Sequence, residues 1–303
     1  MHKSLYLQLF MIAAIAMPAS AQKQEKAHEE RVSNFTYSMP FPDNVAPAKA
    51  KATVLEQARI EAIAKVFGTN IHSQSINIDS SVDGKFSNTF VTKSESDVQG
   101  EWIEDLSQPQ WSAKTQGSIT EYSVTISGRV RQWLSSTVDL DVRLLRNGVD
   151  TLLNKLHDGT YYNGDNFYLY FRTPRSGFLS VYITEEMGDH QMAQRILPYP
   201  KQDGEAYAVT ADEEYYFFAP QKANAFDRHT VIPLKMGCRE DVDINKLYVI
   251  YSPNPFVRAA DAKVDDSLPN QLSLTDFNRW LTNRRRHDQQ TQVESCILEI
   301  KKN

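Results

Sequence analysis

The sequence predicts an α+β chain: a helix-on-antiparallel-sheet domain first, then a mainly-β, Ig-like sandwich with one C-terminal helix. Three observations predict it. Residues 48–67 carry apolar side chains at helical spacing and are followed by short alternating stretches. From residue 138 onward, apolar and polar residues alternate in many short runs separated by turn signals. Ser273 then opens a second helical pattern.

The chain opens on Met1-His2-Lys3, a mostly apolar run over 5–17, and Pro18-Ala19-Ser20-Ala21. A positive start, a compact apolar centre and an Ala-x-Ala site form a cleavable secretory signal. The expected cut lies between Ala21 and Gln22, giving an exported protein, periplasmic or extracellular. The alternative, a membrane anchor, needs about 20 apolar residues, and Gln8 interrupts this run. Lys3 is the one charged side chain in the leader, so its removal takes the net charge from −5 to −6. A mildly acidic chain without basic stripes argues against nucleic-acid binding.

Residues 22–31 are charged and aperiodic, which suits a flexible lead. Phe35, Tyr37 and Met39 alternate as a strand that Pro40 and Pro42 should end. Pro47 suits a first helical turn. Over 48–67, Val54, Ala58, Ala62 and Val66 recur every four residues, widened by Leu55 and Ile63, and Gly68 suits a helix stop. Strands are expected around Ile71, Ile76 and Ile78, over 86–91, over 101–106 and over 118–130. The first domain should span 22–134.

The second domain, 136–303, follows a short polar connection near 132–137. Val138, Leu140, Val142 and Leu144 alternate before an Asn147-Gly148 turn. Phe167, Leu169 and Phe171 form one strand face, with Tyr168 and Tyr170 on the other. Leu179, Val181 and Ile183 oppose Phe178 and Tyr182. Further strands are expected over 206–210, 215–218, 231–234 and 247–251, with a loop over 257–270. The second helix runs to about Arg286 with Phe277, Trp280 and Leu281 inward, and a last strand covers 292–300. The run Arg284-Arg285-Arg286-His287 falls at that helix's end, where cations offset the negative pole of the helix dipole.

Two segments resemble known families. Asn34-Phe35-Thr36-Tyr37, Pro42-Asp43-Asn44 and the alanine-rich helix ending Phe67-Gly68-Thr69 resemble the N-terminal domain of flagellar assembly protein T and related secreted proteins. Tyr162-Asn163-Gly164-Asp165, Gly177-Phe178-Leu179-Ser180-Val181-Tyr182, Ile196-Leu197-Pro198-Tyr199, Tyr215-Tyr216-Phe217-Phe218 and Tyr248-Val249-Ile250-Tyr251-Ser252 resemble the family called domain of unknown function 4384, over about 140–256. The second resemblance implies an all-β accessory domain on exported or envelope-associated proteins. It carries over no catalytic residue or ligand.

The sequence offers no Gly-x-Ser-x-Gly, no phosphate-binding Gly-rich loop and no His-Glu-x-x-His. His157-Asp158 and Asp189-His190 are adjacent acid–imidazole pairs, but neighbours on a strand point to opposite faces. Asp227, His229 and Cys238 could converge as a thiol site. Asp261, Asp265 and Asp266 could hold calcium, though their spacing matches no calcium loop. The expectation is no catalytic residue, no metal and no cofactor. Cys238 and Cys296 are the only cysteines, and two cysteines in an oxidising compartment usually pair, so a disulfide is expected. The alternative is two buried free thiols.

Aromatic residues on both faces of the sandwich strands are the unusual feature. Tyr168, Tyr170 and Tyr182 are the candidate binding residues if the opposite faces form the core; the alternative is that the Phe277 and Trp280 helix or the other domain covers them. The reading is a non-enzymatic exported protein that acts by binding or assembly in the cell envelope, with envelope proteins as partners. A carbohydrate-binding module taking a glycan is the alternative. A hydrolase has no motif behind it.

Overall fold

The computed structural model describes residues 28–69, 78–82, 85–89, 93, 97–133, 138–152, 159–185, 191–200, 202, 205–223, 227–262 and 269–302. The leader, the connection 134–137, Ile71 and Ile76, the pairs His157-Asp158 and Asp189-His190, and Asp265 and Asp266 lie outside them.

The first half contains β1 (Glu29–Pro42), α1 (Pro47–Phe67), a hairpin of β2 (Ile78–Val82) and β3 (Lys85–Thr89), then β4 (Gly100–Asp105), β5 (Gln110–Gln116) and β6 (Ile119–Gln132). β6 is the centre of an antiparallel sheet: β1 flanks one side, and β4 and β5 share the other. The strand starts earlier than the charged composition suggests. Glu29, Glu30 and Arg31 pair with Arg131, Val130 and Arg129, and Glu29 lies 3.7 Å from Arg129. Pro40 and Pro42 belong to β1 rather than ending it, because β1 is an edge strand, where a missing N–H can face solvent.

α1 covers one face of this sheet. Ala50, Val54, Ala58, Ile60, Ala62 and Ile63 are buried against Val32, Val124, Ile126 and Val130. Val66, expected on that face, is 39% exposed. A four-residue recurrence overshoots the 3.6-residue turn, so three steps rotate Val66 about 120° away from Val54. Helix α1 ends at Gly68, whose φ of 83° suits a residue without a Cβ.

The second half contains β7 (Asp141–Arg146), β8 (Thr160–Tyr162), β9 (Asn166–Arg172), β10 (Gly177–Glu185), β11 (Met192–Leu197), β12 (Tyr207–Val209), β13 (Tyr215–Phe217), β14 (Leu234–Lys235), β15 (Val242–Ser252), β16 (Asn270–Ser273), α2 (Leu274–His287) and β17 (Gln292–Lys301). One sheet runs β16-β11-β10-β15-β17-β8, with β12 also on β10; the smaller sheet centres on β9, flanked by β7, β13 and β14. The sandwich core lies between them. Leu179, Val181, Leu247, Val249, Leu298 and Ile300 meet Phe167, Leu169, Phe171 and Phe217.

Ser273 caps α2 by accepting a hydrogen bond from the Asp276 N–H at 3.1 Å. Phe277 and Leu281 lie fully buried on the outer face of the larger sheet, against Tyr182, Tyr248 and Ile250. The molecule is therefore α+β, with a helix-on-sheet unit, a sandwich and a C-terminal helix.

Candidate functional site

Alternation along β10 and β15 turns Leu247 and Val249 into the sandwich, so Lys246 and Tyr248 face outward. They do not reach solvent. The segment before β4 lies against them and brings in Asp97, which is fully buried. Lys246 Nζ donates to Asp97 Oδ2 at 2.6 Å, and the Tyr248 hydroxyl donates to Oδ1 at 3.1 Å.

The end of α2 extends this seam. Arg285 Nη1 donates to the Val98 carbonyl at 3.0 Å, and its guanidinium lies over the Trp133 ring at 5.1 Å. Burial pushes the Arg285 guanidinium down to about 9, opposed by the Asp97 charge. Arg286 donates to Glu101 at 2.6 Å, and Glu101 also accepts from Arg131 at 2.6 Å. Arg284, by contrast, pairs with Asp288 at the end of its own helix. The run therefore serves docking as well as the helix end.

Beside the seam, α1 and α2 face each other across a cleft of about 600 Å³ lined by Glu56, Gln57, Lys93, Asn278, Arg279 and Arg286. Lys93 is matched from behind the wall by Glu61, 2.9 Å away. A neighbouring hollow of about 580 Å³ carries Arg59, Trp102 and Asp105. Asp105 accepts from Arg59 at 2.6 Å and from the Trp102 indole at 2.8 Å.

The outer face of the smaller sheet carries Tyr168, Tyr170, Tyr216 and Arg143. Both the Tyr170 and the Tyr216 hydroxyls donate to Glu214 at 3.3 Å, and the two rings meet edge-on at 5.2 Å. Arg143, held in two-point contact by Asp141, lies over Tyr170 at 5.2 Å, and Lys222 lies over Tyr216 at 5.2 Å. Desolvation and the Glu214 charge raise the Tyr170 hydroxyl above its ordinary value.

The candidate tyrosines thus separate. Tyr168 is partly buried on the outer face, and Tyr170 keeps 4% exposure beneath its neighbours. Tyr182 is a correction: it is fully buried under α2, 4.9 Å from Phe277 and 5.6 Å from Trp280, and its hydroxyl accepts from the Ala259 N–H. Outward from the sandwich here means toward α2. Tyr216, not among the candidate binding residues, joins Tyr170 through the β13–β9 register.

The expected Cys238–Cys296 disulfide is also corrected; both are free thiols. Cys238 Sγ donates to the Ile300 carbonyl at 3.2 Å. Cys296 lies four residues back along the same strand, about 13 Å at strand rise. A disulfide needs Cα atoms within about 7 Å. Burial, with Glu294 beside it, pushes the Cys296 thiol up to about 12, and burial with Asp243 raises Cys238.

Asp227 does not join Cys238. It accepts from Gln202 Nε2 at 2.8 Å and from the Tyr207 hydroxyl, while His229 is exposed. Asp261 holds the fully buried Arg195 and accepts from Asn270 at 3.0 Å. Among the described residues, no group of three His, Cys, Asp or Glu side chains could hold a metal ion, and no helix is long and apolar enough to cross a membrane. No protein-family model, curated protein or solved structure matches the chain.

Proposed function

We propose that this is an exported, non-enzymatic accessory protein that acts by binding or assembly in the cell envelope, and that it holds a protein partner on the outer face of its smaller sheet. The observation that carries this reading is the Tyr168–Tyr170–Tyr216–Arg143 cluster, whose opposite face is the sandwich core. Tyrosine and arginine are the residue types enriched at interface hot spots. Glu214 and Asp141 fix both tyrosine hydroxyls and the guanidinium, so little side-chain freedom remains to be lost on binding.

The resemblance of 140–256 to an accessory family of envelope-associated proteins points the same way. A glycan has less support. Arg143 and Lys222 already lie over the Tyr170 and Tyr216 rings, where a sugar would stack. Of the aspartates read as possible catalytic or metal groups, Asp227 is engaged by Tyr207 and Gln202, and Asp261 by Arg195 and Asn270.

Crosslinking in intact cells followed by affinity recovery tests the proposal. Tyr216→Ala and Arg143→Ala should leave melting nearly unchanged and deplete the recovered envelope proteins. Unchanged recovery with both variants would remove this face from consideration.

A further inference from the structure

The sheet of the N-terminal domain has one edge unlike the others. β1 is blunted by charges at its start, by a bulge between Val32 and Phe35, and by Pro40 and Pro42. β4 carries Glu101, Glu104 and Asp105 and a bulge between Trp102 and Glu104. In the sandwich, β8, β12, β13, β14 and β16 are only two to four residues long, and β7 carries Asp141, Arg143 and Arg146. Such devices keep sheet edges from pairing with other chains.

β5 has only one of them, a single charge at Lys114. Its seven residues run Gln-Trp-Ser-Ala-Lys-Thr-Gln without proline, glycine or bulge, and all but Trp111 are exposed. Gly117, at φ 62°, makes a two-residue turn with Ser118 that joins β5 to β6. Such a turn makes Gln116 and Ile119 a hydrogen-bonded pair, and alternation gives Lys114, Ser112 and Gln110 the same role. The N–H and C=O groups of Trp111, Ala113 and Thr115 therefore point away from β6. Among the described residues, no backbone hydrogen bond is recorded for them on that side.

We infer that β5 is a self-pairing edge: two copies of the chain join antiparallel about a two-fold axis at Ala113, making one continuous sheet. The chemistry of the strand selects a second copy. About Ala113 the three outward-pointing residues are symmetric, so Ala113 meets Ala113 and Trp111 meets Thr115 of the other copy. All six free backbone groups on each strand find partners. Aromatic–β-branched pairs are among the favourable cross-strand neighbours. On the other face, Ser112 meets Lys114 and Gln110 meets Gln116, so no like charges stand directly opposed. Lys114 stands opposite Glu121 of β6, a residue of opposite charge. Helix α1 packs mainly on β1, β6 and β4 and meets β5 at Trp111, where Lys51 Nζ lies 5.5 Å from the ring; among the described residues no other strand pairs with the outer edge of β5.

Sedimentation velocity on the full chain, from low to high micromolar concentration, tests this. The protein should shift from monomer to dimer. Ala113→Pro removes an outward N–H and should leave a monomer. Ala113→Lys keeps the N–H, sets two cations face to face, and should do the same. Ala113→Cys should give a disulfide-linked dimer on oxidation, while Thr36→Cys on the far edge should not. The inference is overturned by a wild-type protein that stays monomeric throughout. It is equally overturned by a dimer that both Ala113→Pro and Ala113→Lys leave intact, or by a monomer that instead takes up an extended peptide at β5.

Discussion

The two faces of the larger sandwich sheet are built from alternate residues of the same strands, yet they are held by different physics. The inner face, with Leu247, Val249, Leu179 and Val181, meets the aromatic face of the smaller sheet through a centre of apolar side chains. The outer face is divided. Tyr182, Tyr248 and Ile250 lie under α2, while Lys246 lies under Asp97 from the first half of the chain. Removing a group from the inner face forfeits contact and area. Removing one from the seam leaves a buried charge without its counter-charge, which costs more per atom.

The seam gives the largest expected effect. Asp97→Ala should lower stability by about 4 kcal/mol in urea denaturation, since Lys246 would remain buried without its carboxylate. Adding Lys246→Met should restore most of that loss, because a well-packed apolar pair replaces an ion pair at little net cost. A loss in Asp97→Ala near that of a surface substitution would erase the distinction between the faces.

On the inner face, Leu247→Ala should cost about 3 kcal/mol through lost burial and the cavity left behind. No second substitution across the sheet should rescue it as charge removal rescues the seam. Tyr182→Phe sharpens the comparison within the outer face. It keeps the ring on Phe277 and removes the acceptor for Ala259, so the expected loss is about 1 kcal/mol. Partner recovery should not change, since Tyr182 is covered.

Near neutral pH Cys296 gives the smallest change with pH, and its effect shows only in alkali. Its thiol stands above its ordinary value of 9.0, at about 12 in the fold. The unfolded chain therefore loses that proton first. The contribution is fully present below pH 9 and is lost as pH rises toward 12. Cys296→Ala should flatten the fall in stability over that window. Thiol titration without reductant should find two thiols in the unfolded chain; finding none would restore the disulfide.

Much of this architecture can be read from residue order, and the exceptions share a cause. The periodicities of α1, β9, β10, α2 and β17 are local, so they predict those elements with small errors at the ends, whereas β15 begins five residues before the expected 247. β5 and β11 carry too few alternating apolar residues to stand out, as Gln-Trp-Ser-Ala-Lys-Thr-Gln shows. Lys246 looks like a solvated strand position, because its partner comes from 149 residues away. Pleating correctly places Tyr182 opposite Val181, but only the fold says that a helix covers that side. The tyrosine patch was half visible: Tyr168 and Tyr170 share a strand, whereas Tyr216 reaches them through register alone.

The ladder between β1 and β6 has a mechanical consequence. Glu29, at the start of β1, pairs with Arg131, at the end of β6, and both chain ends leave the sheet there. Tension between the N-terminus and the chain beyond residue 132 would act on that one end of the ladder. The load would fall first on the Glu29–Arg131 rung and then pass rung by rung toward Pro42 and Ile119. Under such a pull, β1 peels like a zipper, without the simultaneous shear of many hydrogen bonds that makes a strand hard to extract. The ion pairs from Glu29 to Arg129 and Arg131 sit where that zipper starts. A tethered protein would yield first at β1, with the sandwich and its α2 seam still closed.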